Sequence, residues 1–149
     1  MALSDVHQDQ RWQRWALPAI VLLAFVLRII PAAGTDFQMD EIFTLEQVRV
    51  SSSPVDVFRA PMNNDNNHLL NSLYCSLLGV GDAIRYRILS VLAGTATVAL
   101  IFVTGRRHYG EAAAWAAAVL AAVSYPMIFY SAEARGYAPA ALLSLLSFH

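Results

Sequence analysis

Residues 15–33, WALPAIVLLAFVLRIIPAA, interrupt their apolar run with one charge, Arg28. They are long enough to cross a bilayer, which takes about 20 residues at about 1.5 Å each. Pro18 falls in the first turn of that stretch and Pro31 at its end, where proline is tolerated. Residues 88–104 and 112–130 are two further credible spans, separated by GRRHYG. A fourth apolar segment begins near Tyr137 and stops at His149, so it is the start of a further span. Residues 69–80 would reach only about 18 Å as a helix, which suits an interfacial or re-entrant segment. The fold class read from this pattern is an all-α polytopic membrane protein with about four transmembrane helices, the last incomplete.

Composition agrees: 57% of the chain is hydrophobic and 14% charged, with a mean hydropathy of +0.46, outside the range of a soluble domain. The net charge is −1, so no basic field exists to attract nucleic acid, and none is expected as a partner. Cys75 is alone, which excludes an intrachain disulfide, and its apolar setting reads as a packed thiol. Residues 1–14 carry arginines ahead of the first apolar run and no small-residue cleavage site follows it, so the segment reads as a cytoplasmic tail with a retained signal anchor. Arg106 and Arg107 then fall on the same inner side, which the positive-inside rule favours, and residues 34–87 form an outer loop.

The outer loop has its own start signals. Thr35 followed by Gln38 fits a capping box, and Ile42, Leu45 and Val48 recur at helical spacing, so an amphipathic helix from Thr35 to about Val50 is expected along the membrane surface. Its first turn carries Asp40 and Glu41. In SSSPVD, Ser53 reads as a cap with Pro54 at the first helical position and Asp56 in the first turn. The polar run 63–68 reads either as a solvated turn with Asn67 as N-cap, or as a substrate-facing loop. In the second reading the Asn67 amide and the His68 imidazole would bond sugar hydroxyls or a phosphate.

Several charges lie near the span ends. Arg28 is near the outer end of the first span, where it would snorkel to the headgroups or pair with Asp36 or Asp40. Arg85 and Arg87 open the third segment and are expected to anchor it at the interface or touch a lipid phosphate. Glu133 would pair with Arg135 in SAEARGYA. His68, His108 and the acids have no metal-ligand spacing, so neither a metal nor another cofactor is expected. The alanines of AAAWAAAVLAA read as close helix packing.

The series LRIIPAAGTDFQMDEIFTL, NNHLLNSL, RYRILSVLAGTATVALIFVTGRRHYG and YSAEARGYAPAALLSLLS resembles the N-terminal part of the multi-spanning, polyprenyl-phosphate-dependent glycosyltransferases of family 39. Protein O-mannosyltransferases and aminoarabinose transferases belong to that group. The resemblance runs from about Arg28 onward and implies a sugar donor on a polyprenyl phosphate, inverting transfer, and an acidic active-site motif in the first outer loop. It implies Asp40 as catalytic base, Glu41 as the neighbour that positions the acceptor or shapes the field, and Arg135 as a ligand of the donor phosphate.

That chemistry needs a carboxylate to take the acceptor's proton and a cation on the leaving phosphate, for which the planar fork of arginine is suited. The bland alternative is that Asp40 and Glu41 only complement a helix N-terminus, an effect of about 0.3–1 kcal/mol. The family's members have more spans, so this chain is expected to be an N-terminal portion with little activity alone. A transporter fragment and a non-catalytic membrane assembly subunit are the alternatives. The sequence names neither the sugar nor the acceptor.

Overall fold

The computed structural model describes residues 3–51, 53–58, 68–79 and 81–148, with side chains from Arg14 onward. Seven α-helices follow in order: α1 (Leu3–Gly34), α2 (Met39–Val50), α3 (Leu69–Leu78), α4 (Ala83–Tyr109), α5 (Glu111–Val123), α6 (Tyr125–Ser131) and α7 (Tyr137–Ser147). A 3₁₀ turn, Pro54–Phe58, lies between α2 and α3. No strand occurs among the described residues. Two helices are long and apolar enough to cross a membrane, Arg14–Gly34 and Ala83–Tyr109, or three spans if α5 and α6 are one bent crossing.

Helix α4 is the centre of the bundle: 44% of its apolar window is buried against 17% for α1, and α1, α5, α6 and α7 all pack on it. Small residues allow this. Gly110 takes φ +87°, the left-handed region that favours glycine, and turns the chain from α4 straight into α5. A Cβ on Gly105 would lie 3.2 Å from the Ala114 Cα, so the two backbones touch there. Ala24, Val98, Phe102, Ala114, Ala118 and Ala122 form the core below that contact. Leu22, Ile30, Leu92 and Leu120 stay exposed on the outside, as suits a lipid-facing surface. Because α1 and the α5–α6 arm both run antiparallel to α4, one end of the bundle gathers the C-terminus of α1, the N-terminus of α4 and the turn from α6 to α7.

Three expectations about the first span and the 112–130 stretch change. Both prolines lie inside α1, because the helix starts at Leu3 and runs on to Gly34. The stretch 112–130 is not one straight helix: Ser124 is extended and the axes of α5 and α6 differ by 56°. Pro126 in the first turn of α6 has no N–H to return to the Ala122 carbonyl. Arg28 supplies what the break removes. It is fully buried and donates to Ala122 O at 3.2 Å, Ala121 O at 3.2 Å and Ala24 O at 2.9 Å. It therefore neither snorkels nor pairs with Asp36 or Asp40, since three carbonyls inside the bundle already hold it.

Helix α2 starts at Met39, not Thr35. Gln38 is its N-cap residue, and the Gln38 N–H donates to Glu41 Oε2 at 2.8 Å. Thr35 belongs to the end of α1, where its hydroxyl donates to Pro31 O at 2.8 Å. Asn67 and the rest of the polar run up to it lie outside the described residues, and His68 is the N-cap residue of α3.

Gly94 packs so tightly on α6 that an added Cβ would sit 2.6 Å from the Ser131 Cβ and 3.2 Å from Arg28 Nε. We predict that Gly94→Ala destabilises the protein by about 1–3 kcal/mol, the usual range for overpacking, and that Ser131→Gly in the same chain recovers most of it. Thermal unfolding in detergent reads both; equal melting temperatures for the parent and Gly94→Ala would contradict the packing.

Candidate functional site

Two adjacent acids in the first turn of α2 have opposite fates. Successive helical positions point about 100° apart, so one of them turns into the bundle and the other toward its surface. Glu41 is fully buried, whereas the Asp40 side chain is 42% exposed. Glu41 Oε1 accepts from Arg87 Nε at 2.8 Å and from the Ala134 N–H at 2.6 Å, and Oε2 from Arg87 at 2.6 Å and the Gln38 N–H at 2.8 Å. Arg87 also donates to Ala32 O at 2.9 Å, Thr35 O at 2.8 Å and Asp36 O at 2.9 Å, and its guanidinium stacks 5.2 Å from the Phe37 ring centre. Arg87 is therefore no interfacial anchor; Arg85, on the next face, is the exposed one of the two.

Ala134 is fixed through both of its backbone polar groups. Its N–H goes to Glu41, and its carbonyl accepts from Asn71 Nδ2 at 2.5 Å. Ser90 donates to Arg135 O at 2.9 Å. These bonds hold the turn from α6 to α7 over the start of α2, and Arg135 forms an ion pair with Asp40 there. Arg135 also meets Glu133 at 3.3 Å and lies 5.0 Å from the Tyr137 ring centre. The other face of the cluster is His68, whose ring packs edge-on against Tyr137 with centres 4.7 Å apart. Gly136 permits that approach, because a Cβ there would be 2.9 Å from the His68 Cβ.

The structure thus brings together Asp40, Glu41, Arg135 and His68 of the sequence candidates, and places the expected Glu133–Arg135 pair among them. It adds Arg87, Asn71 and the Ala134 peptide. The signal for Arg87 was in the sequence: it shares a face with Ile84, Ile88 and Val91, at helical spacing, and so belongs to the buried stripe. Asn71 carried no such mark, since its partner is a backbone carbonyl 63 positions away.

Electrostatics follows the burial. Desolvation would raise the Glu41 carboxyl, but the bonds from Arg87, Ala134 and Gln38 outweigh it and hold the group below the usual carboxylate range. Burial pushes Glu133 up, and the Glu41 charge adds to that, against the pull of Arg87. His68 is lowered by burial, and its Nε2 is buried without a hydrogen-bond partner. The Cys75 thiol, buried beneath α2 and near the Glu41 charge, is pushed up to about 12, which makes it unreactive. No group of three His, Cys, Asp or Glu side chains is arranged to hold a metal ion among the described residues.

No family model, curated protein or solved structure matches this chain. Function must therefore be argued from the cluster itself: an exposed carboxylate against a guanidinium, on a framework set by a buried ion pair.

Because the folded Glu41 value lies below the unfolded one, its contribution to stability is complete above the ordinary carboxylate value of about 4.3 and drains away as the pH falls through the folded value. Glu133, raised, works in the opposite direction. We predict that Glu41→Gln lowers stability by about 3–5 kcal/mol near neutral pH, as expected when a buried partner is removed, and that this deficit shrinks on acidification. Melting curves of both proteins across the acid range check it; a deficit that stayed constant with pH would deny the carboxylate its role.

Proposed function

We propose that this chain forms the outer-face catalytic end of a membrane glycosyltransferase that moves a sugar from a polyprenyl-phosphate donor to an acceptor, with inversion. The observation that carries the reading is the Asp40–Arg135 pair, a partly exposed carboxylate and a phosphate-competent cation at the common end of the bundle. In this reading α1, α4 and the α5–α6 arm cross the cell membrane, and α7 is the start of a fourth crossing. Helices α2 and α3 then lie at the outer interface, where exposed Met39, Ile42, Phe43 and Leu77 would meet lipid.

The chemistry runs through named atoms. A carboxylate oxygen of Asp40 takes the proton from the acceptor hydroxyl as the hydroxyl oxygen attacks the anomeric carbon. The bond from that carbon to the phosphate oxygen breaks, and the polyprenyl phosphate leaves with one more negative charge. Arg135 receives that charge through its two-pronged donor fork. The arriving phosphate exchanges with Asp40 for Arg135, releasing the base. Glu41 touches no substrate in this scheme; it sets the position of Asp40 and of the 134–136 turn. His68 would serve as a substrate-facing donor, and Asn67, outside the described residues, is proposed beside it from the sequence alone. An assembly subunit or transporter fragment would use the same ion pair only as a latch, and the activity test separates the two.

In the full-length protein carrying this sequence, Asp40→Asn keeps size but removes the base, and should cut turnover by about 10²- to 10⁴-fold. Arg135→Lys keeps the charge but loses the fork, and should impair use of the lipid-linked donor more than folding. Transfer from a purified polyprenyl-phosphate sugar is the assay. Near-normal turnover by a folded Asp40→Asn protein would reduce the pair to a latch.

Orientation has its own check. Val55 and Arg106 are both exposed, and Cys75 is buried and unreactive, so it can remain in place. A single cysteine at position 55 should react with an impermeant maleimide in intact cells and one at position 106 should not; the reverse pattern would turn the protein over.

A further inference from the structure

Arg135 is gripped by two carboxylates of very different access to water. On one side is Asp40, 42% exposed; on the other is Glu133, whose side chain is 6% exposed and 3.3 Å from the guanidinium. The Arg135 side chain itself is 11% exposed, and its Nε has no hydrogen-bond partner. The backbone repeats the arrangement, with the Arg135 N–H donating to Glu133 O at 2.8 Å. A phosphate that competes for this guanidinium must displace a carboxylate. Asp40 can be displaced at small cost, because water replaces the lost partner. Glu133 would be left as a desolvated charge, which is far costlier.

We infer that Glu133 is the positioning residue for Arg135: its buried carboxylate holds the guanidinium in place while the exposed Asp40 is exchanged for the phosphate of the donor lipid. The inference rests on the glycosyltransferase reading above and deepens it. It separates two acids that both touch one arginine. Asp40 competes with the phosphate, so removing its charge helps phosphate binding even as it ends turnover. Glu133 supports the phosphate ligand, so removing its charge harms phosphate binding. The Tyr137 ring, 5.0 Å from the guanidinium carbon, closes a third side, and of the two carboxylates Asp40 is the one in reach of water.

The test measures the affinity of undecaprenyl phosphate for the full-length protein in nanodiscs, with inorganic phosphate titrated beside it and melting temperatures recorded for each variant. Glu133→Gln should weaken lipid-phosphate binding by about 10- to 100-fold, the loss of one charge-assisted bond's orientation. Asp40→Asn should bind at least as tightly as the parent. Inorganic phosphate should follow the same order with weaker binding throughout; binding as tight as the lipid's would assign the site to a free anion and sink the lipid-donor reading. Parent-like affinity in a folded Glu133→Gln protein overturns the positioning role, and so does weakened binding in Asp40→Asn. If Glu133→Gln does not fold, Glu133→Asp replaces it, keeping the charge but withdrawing it by one methylene; parent-like affinity there overturns the role equally. Should the parent itself bind no lipid phosphate, the glycosyltransferase reading fails separately. The hold on Arg135 is then read by a stability cycle of Glu133→Gln and Arg135→Gln in an Asp40→Asn background, where additive losses would refute it.

Discussion

Arg87 reaches from the start of α4 into the corner between α1 and α2, and almost every other feature of the site depends on that reach. Its guanidinium meets Glu41 and the carbonyls of Ala32, Thr35 and Asp36. Those carbonyls end one helix and cross an irregular turn before the next, so no helical ladder serves them. A cation there is favoured twice, by the carboxylate and by the negative end of α1. Buried ion pairs can often be exchanged for apolar residues at no loss. This one is different, because an apolar replacement would orphan backbone carbonyls as well as a carboxylate.

Glu41 extends the same network across the bundle. By accepting from Ala134 it ties α2 to a turn 93 positions later, and that turn carries Arg135. The alignment of Asp40 with Arg135 is thus set by atoms that neither residue owns. A long polar or flexible arm between them would cost conformational entropy each time the pair formed. Here the backbone at both ends is already fixed by the buried pair, so only two side chains need to be ordered.

How much of this was legible in the sequence varied with the range of the interaction. The helical, membrane-like class was legible, because apolar run length and composition are properties of the chain itself. The partnership of Glu133 with Arg135 was also legible, being local. Thr35 and Gln38 misled: both fit a cap pattern, but the end of α1 claimed Thr35 and the helix began four positions later. Arg28 and Arg87 were misread for one shared reason. An arginine beside a membrane is normally pictured reaching for water, and that picture outweighed the spacing that placed Arg28 between Ala24 and Ala32, both buried. Their partners are carbonyls exposed by a helix break and a helix end, and neither break nor end is marked by a complementary charge that a reader of the sequence could match.

The two buried arginines therefore do comparable work at different depths. Arg28 serves the carbonyls left free where α5 gives way to α6, and Arg87 those left free where α1 gives way to α2. In each case an interruption in a helix, which would be costly in an apolar setting, is made tolerable by one guanidinium with several donors. The interruptions are also what shape the site. The bend at Ser124 redirects α6 by 56° as the chain climbs toward the turn that carries Glu133 and Arg135, and the break after Gly34 lets α2 leave the bundle axis with its first turn facing that arginine. A bundle of unbroken helices would need neither buried arginine, but it would also have no irregular backbone at which to bring Asp40 and Arg135 together.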